Sequence, residues 1–311
     1  MDGPRNISAA AGPQQFVVIL GWRCNSSCPF CIRSVLRAKA TGRRDLPLFE
    51  FAEGLAKYRG TLRAIALSSF GETMLNPDFP AMIDLLGRDY AHLDAVHVIT
   101  NGSLVQRCPA VGDLPGLLAF SIDAPDRQTY GAMRVGLDFD AVLANLRSMV
   151  RRPNHPSRRI GINMAVFERN VGSVYEMARL AHGEGVHSLH VIAGMGDGGS
   201  DVVGSRPRPD DPRVAAQIAR VRADFPRLEI LSDTFDIVPV NRCRMPWISL
   251  DVDPDGRTHP CCRAIDVDFG QWVADDPWNN AAMERLRVQL ASGVFSGSPA
   301  EFRECSACRW R

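Results

Sequence analysis

Lysine is nearly missing from this chain: Lys39 and Lys57 are the only two in 311 residues, and arginine carries the rest of the basic charge. That bias has no functional weight. The net charge of +1 leaves no electrostatic case for binding nucleic acid or an anionic membrane surface. Long apolar runs are missing as well. Nothing approaches the roughly 18 residues of a membrane span, and Met1 to Gln15 lacks the apolar core of an export signal. The expectation is a cytoplasmic chain with no membrane and no nucleic-acid partner. Hydrophobic content of 45% and charged content of 23% are ordinary for a globular protein, and the length suits one main domain with a small appendage.

Cysteine, by contrast, is abundant, with nine in the chain. Without an export signal, so many cysteines point to a reducing compartment and metal binding rather than to a disulfide framework. Three of them crowd the run Cys24-Asn25-Ser26-Ser27-Cys28-Pro29-Phe30-Cys31, directly after the apolar strand Phe16-Val17-Val18-Ile19-Leu20. Three thiolates at this spacing can hold three irons of a [4Fe–4S] cluster and leave the fourth iron open to a small molecule. The competing readings are zinc, which wants a fourth ligand that is not nearby, and disulfides, for which three is an odd number.

The Cys-x3-Cys-x2-Cys spacing, with an aromatic before the third cysteine, resembles the signature of radical S-adenosylmethionine enzymes. The resemblance implies that Cys24, Cys28 and Cys31 ligate a cluster whose open iron chelates S-adenosylmethionine. It also implies reductive cleavage to a 5′-deoxyadenosyl radical, with Phe30 near the adenine. An external one-electron donor such as flavodoxin or ferredoxin is implied too.

Strand-like and helix-like segments alternate after this loop. Strands read at 63–68, 95–100, 117–122, 159–166 and 188–192, with amphipathic stretches near 47–59, 77–89, 138–151 and 171–184. This is the pattern of βα units around a parallel sheet. With the first strand it gives an α/β chain of six units, matching the partial (β/α)6 barrel of the family. The expected layout is a flexible segment 1–14, a barrel over 15–235 and a small α+β iron–sulfur module over 236–311.

Function in such barrels gathers at the C-terminal ends of the strands. Phe70-Gly71-Glu72 follows the second strand and resembles the family's Gly-Gly-Glu motif, so Gly71 and Glu72 are expected to hold the methionine amine; Phe70 replaces the first glycine. Thr100-Asn101-Gly102 ends the third strand and Ser121-Ile122-Asp123 the fourth. By the same resemblance Ser121 reaches the ribose or carboxylate, and Arg134 pairs with the carboxylate. Residues 194–199, rich in glycine, lack the lysine of a phosphate loop and read as a connector over the barrel mouth.

Four cysteines in the tail, Cys243, Cys261, Cys305 and Cys308, are separated by 17, 43 and two residues. A hairpin is expected within the first interval, with Ile248, Leu250 and Val252 on one face and a turn at Asp253-Pro254-Asp255-Gly256. A helix opened by Asp276-Pro277 is expected in the second. Such a module holds a metal: a zinc ribbon is one reading. The spacing also resembles the twitch module, a shortened SPASM domain, which implies one auxiliary [4Fe–4S] cluster.

Cys108 reads as a structural thiol. Cys262 follows a candidate ligand on a hairpin end that faces substrate in twitch enzymes, so it is a candidate hydrogen-atom donor; it could equally be buried filler or exchange with Cys261. With this tail the chain resembles the aminoglycoside-biosynthesis members of the family, an epimerase of neomycin C and a dehydrogenase of 2-deoxy-scyllo-inosamine. Cys262 favours epimerisation at a carbinol carbon of a small sugar-like substrate. Oxidation to a ketone is the first alternative and modification of a ribosomal peptide the second. Arg263 and Glu168 are candidates to bind substrate hydroxyl or amine groups.

Overall fold

The computed structural model describes residues 11–31, 33, 45–194, 201–232, 235, 243–261, 264–265, 267–292 and 305. Six strands run parallel: β1 (Gln15–Ile19), β2 (Ala64–Ser68), β3 (Ala95–Thr100), β4 (Gly116–Ser121), β5 (Arg158–Val166) and β6 (Ser188–Ala193). Between them lie α1 (Leu48–Lys57), α2 (Phe79–Asp89), α3 (Arg127–Met133), α4 (Phe139–Arg151) and α5 (Val174–Gly183). This is the expected partial (β/α)6 barrel. Alternation in burial gives the sheet two faces. Phe16, Val18, Ile65, Leu67, Val96 and Val98 are at most 2% exposed and join the core with Phe51, Leu55, Phe79 and Met82 of the helices. Their neighbours Val17, Ala64, Ala66, Ala95 and His97 are only half-buried and form the inner face.

The sheet is wider than the periodicity suggests: among the described residues it has nine strands, continuing beyond β6 at one edge and beyond β1 at the other. After α6 (Pro212–Asp224), whose proline at the first position is capped by Asp211, β7 (Glu229–Leu231) pairs parallel to β6. At the other edge, α7 (Met245–Ile248) leads into β8 (Ser249–Val252), which pairs parallel to β1, and β9 (Thr258–His259) returns antiparallel to β8. The hairpin therefore extends the main sheet. Ile248 closes the short helix instead of sharing a strand face with Leu250 and Val252, and all four residues of β8 are buried. The turn itself forms as read: Gly256 takes φ +77°, and Asp253 Oδ1 accepts the amides of Asp255 (2.8 Å) and Arg257 (2.9 Å).

The last helix, α8 (Ala281–Ser292), starts later than Asp276-Pro277. Asn280 Oδ1 accepts the Met283 amide at 2.9 Å and is the cap, whereas Asp276 accepts from Asn279 (3.0 Å) and the Tyr58 hydroxyl (3.4 Å). Trp272, 1% exposed, locks this region to the barrel: its ring meets Phe16 edge-on at 5.2 Å and Phe51 at 6.4 Å. It fits because Gly54 of α1 has no side chain; a Cβ there would lie 2.4 Å from the indole. Gly54→Ala is expected to displace the ring and cost about 1–3 kcal/mol, read as a lower midpoint in thermal or urea unfolding.

Candidate active site

The cysteine loop sits beyond the C-terminal end of β1, with Cys24, Cys28 and Cys31 all half-buried. Three neighbouring strand ends hold it. From the β2 side, the Glu72 amide donates to the Arg23 carbonyl at 2.7 Å, and Gly71 approaches so closely that a Cβ would fall 1.8 Å from the same oxygen. Only glycine fits there. From the β3 side, Asn101 Nδ2 donates to Asn25 Oδ1 and Asn25 Nδ2 donates to Ser103 Oγ, both at 2.9 Å. From the segment after α3, the Val135 carbonyl accepts the Ser27 amide (2.9 Å) and the Ser26 hydroxyl (3.0 Å).

Two buried carboxylates brace these ends. Glu72, 3% exposed, accepts from Thr100 Oγ1 (2.5 Å), the Asn101 amide (2.6 Å) and the Met74 amide (3.2 Å). Burial raises its pKa, and these hydrogen bonds oppose the rise. The Glu72 carboxylate is thus a brace between the ends of β2 and β3, while Gly71 and the Glu72 backbone amide are the parts of the motif that meet the cysteine loop. Asp123, fully buried, accepts the Ala165 amide at 2.8 Å and Arg134 Nε at 2.5 Å. Arg134 thereby lies over the Phe30 ring at 5.4 Å with Nη1 3.9 Å from Cys28 Sγ. Burial works against its charge, but Asp123 and Cys28 outweigh that and raise its pKa. Phe30 packs on Phe167 (4.9 Å) beside Met133 and Val203. Ser121 ends β4, half-buried and in register with Asn163 of β5.

Sequence reasoning singled out Gly71, Glu72, Ser121 and Arg134 but passed over Asn25, Asn101 and Asp123. Asn101 and Asp123 stand in the Thr-Asn-Gly and Ser-Ile-Asp runs already noted, so their position was the available signal. Glu168 is committed elsewhere, paired with Arg213 at 2.6 and 2.8 Å, which lowers its pKa. Cys108 is 5% exposed, as a structural thiol should be.

The donor set fits an iron–sulfur cluster. Three thiols share one loop, a guanidinium stands by Cys28, and the glycine cradle keeps the loop seated. Burial pushes the Cys24 thiol up, a proton that iron would replace. Among the described residues no three His, Cys, Asp or Glu side chains converge as ligands of a single metal ion; a cluster, in which each thiolate takes its own iron, asks for no such convergence. Cys243, Cys261 and Cys305 are half-buried, the last two against the main core. Cys262, Arg263, Cys308 and residues 195–199 lie outside the described residues. No helix among the described residues is long and apolar enough to cross a membrane.

Comparison with known families gives two matches. The radical SAM superfamily model covers residues 18–181, and the SPASM model, an iron–sulfur cluster-binding domain, covers residues 243–309. Among curated proteins none matches. Of solved structures, Streptococcus suis SuiB bound to S-adenosylmethionine is similar at TM-score 0.68 and 13% identity, over 90% of this chain and 67% of that one. Native anSMEcpe with bound AdoMet and Kp18Cys peptide is similar at TM-score 0.67 and 16% identity, over 94% and 88%. BtrN in complex with AdoMet and 2-DOIA gives TM-score 0.44 and 14% identity, over 92% and 90%.

Gly71→Ala should unseat the cysteine loop. Anaerobically reconstituted protein is expected to carry about four irons per chain where the wild type carries about eight, measured by iron and sulfide analysis.

Proposed function

The chain belongs to the radical SAM superfamily, and from that membership we propose that it epimerises a carbinol carbon of an aminoglycoside- or aminocyclitol-type substrate, with Cys262 as the hydrogen-atom donor. The two family matches give it S-adenosylmethionine and two iron–sulfur clusters as cofactors. Cys24, Cys28 and Cys31 would hold the first cluster, and Cys243, Cys261, Cys305 and Cys308 the second. When bound, the first cluster and S-adenosylmethionine supply a 5′-deoxyadenosyl radical able to take a hydrogen atom from an unactivated C–H bond. Gly71 seats the cysteine loop, Phe30 offers an apolar wall, and Arg134 and Ser121 offer donors on the same rim.

The observation that carries the reading is that Cys262 directly follows Cys261 in the sequence, and Cys261 stands just beyond β9. One of the two thiols is spare once the second cluster has its four ligands. A spare thiol returns a hydrogen atom to the opposite face of the carbon. It is restored by one electron and one proton, the electron coming from an external donor such as flavodoxin or ferredoxin.

A second reading, modification of a peptide, draws on fold likeness to SuiB, seen with precursor peptide SuiA, and to anSMEcpe, seen with the Kp18Cys peptide.

The test is turnover of an aminoglycoside and aminocyclitol panel, anaerobically in D2O with dithionite. Inversion incorporates one solvent deuterium at unchanged oxidation state. A carbonyl product instead means dehydrogenation, and modification of a cysteine-containing peptide alone means the second reading. Cys262→Ala should abolish inversion while S-adenosylmethionine is still cleaved; intact inversion removes this thiol from the reaction.

A further inference from the structure

Strand β8 carries two buried polar side chains that no hydrogen bond among the described residues answers. Asp251 is 1% exposed and Ser249 fully buried, and neither Asp251 Oδ1 nor Ser249 Oγ has a hydrogen-bond partner among the described residues. A buried carboxyl left unmet costs stability, and native proteins rarely keep one without a use for it.

Register fixes which way they face. Leu250 and Val252 align with Phe16 and Val18 on the helix side, so Ser249 and Asp251 align with Gln15 and Val17 on the inner face. The row continues from Asp251 through Val17 of β1 and Ala66 of β2 to His97 of β3. The row beneath it reads Ser249, Gln15, Ala64 and Ala95. Between the acid and the histidine lie Val17 and Ala66, with Gln15, Ala64 and Ala95 in the row beneath, all half-buried where Asp251 is not. Three inter-strand steps separate the two ends, about 14 Å along the sheet, so a single ring held at the acid leaves the His97 end to a further ring or substituent of a larger substrate.

The far end has a defined polarity. His97 Nδ1 accepts the Leu117 amide at 3.2 Å, and burial together with Arg158 lowers its pKa. The ring is neutral near pH 7, with its proton on Nε2 as a donor. Charged groups near Asp251 are few. On β9 it faces His259, which is itself engaged with Asp253 and the Val267 carbonyl, and on β1 its neighbours Gln15 and Val17 are uncharged.

We propose that Asp251, with Ser249 beside it, is the substrate anchor of the barrel, taking an ammonium group of an amine-bearing polyol whose hydroxyls reach the His97 donor. This rests on the aminoglycoside or aminocyclitol reading above and adds the charge that is recognised and the residues that recognise it. Burial raises the Asp251 pKa to about 7, so a bound ammonium, which favours the carboxylate, expels the remaining proton.

The probe is 2-deoxystreptamine, a diamine, with scyllo-inositol as its uncharged counterpart, titrated calorimetrically at pH 7 into anaerobic holoenzyme with S-adenosylmethionine. Buffers of differing ionisation enthalpy count the protons released. The diamine is expected to bind with release of about half a proton and the inositol to bind at least about tenfold more weakly. Asp251→Asn should weaken the diamine by about tenfold or more and abolish the proton release, at unchanged iron content. Asp251→Leu should raise the thermal midpoint, with a gap over wild type wider at pH 8.5 than at pH 6, because the folded state must hold the ionised carboxyl above its raised pKa. If Asp251→Asn binds the diamine like wild type, this anchor is wrong and the aminocyclitol reading survives. If wild type binds neither probe, both fall. A lower midpoint for Asp251→Leu, or equal binding of inositol, also overturns the anchor.

Discussion

A carboxyl group that water cannot reach costs stability unless protein donors meet it, and Glu72 is met by donors from two strand ends at once. Its oxygens take the Thr100 hydroxyl and Asn101 amide at the end of β3 and the Met74 amide beyond β2. That fixes the spacing between the two loops. The Glu72 amide and Gly71 then press on the Arg23 carbonyl, while Asn101 reaches Asn25. The cysteine loop is short and has no regular structure of its own between residues 22 and 31. Its shape is borrowed from the ends of the sheet, and those ends are aligned by Glu72 on one side and Asp123 on the other.

The same division of labour explains Arg134. A guanidinium beside Cys28 would be costly to bury alone, and Asp123 supplies the compensating charge through the contact of its Oδ2 with Arg134 Nε. Asp123 also accepts the Ala165 amide, while its own carbonyl accepts Asn170 Nδ2 at 2.6 Å. Whatever binds on this rim meets groups already held in place, which lowers the ordering cost of binding.

Much of this was legible because it is local. The six-fold βα alternation, the cysteine triad and the short motifs are each contained in a few residues, and the motifs fell on the loops where strand counting put them. What periodicity cannot report is partnership. Nothing in Ser249–Val252 says that its neighbour is β1, so the strand looked like half of a free hairpin and its buried second face was missed. Asp276-Pro277 has the right residues for a helix start, but Tyr58 and Asn279 draw Asp276 away and Asn280 caps instead. Glu168 stood after the fifth strand as expected and was claimed by Arg213, a residue 45 positions on.

Strand β1 is the first of the described strands yet interior in the sheet, flanked by β2 on one side and by β8 on the other. Synthesis therefore exposes one hydrogen-bonding edge of Gln15–Ile19 until residues 249–252 emerge. By then the six parallel strands are made and the cysteine triad has long left the ribosome. An unpaired apolar edge held open so long invites pairing with another chain, and contacts this distant in sequence form slowly. Maturation of this protein is thus a race in which the C-terminal hairpin acts as the guard of the N-terminal strand.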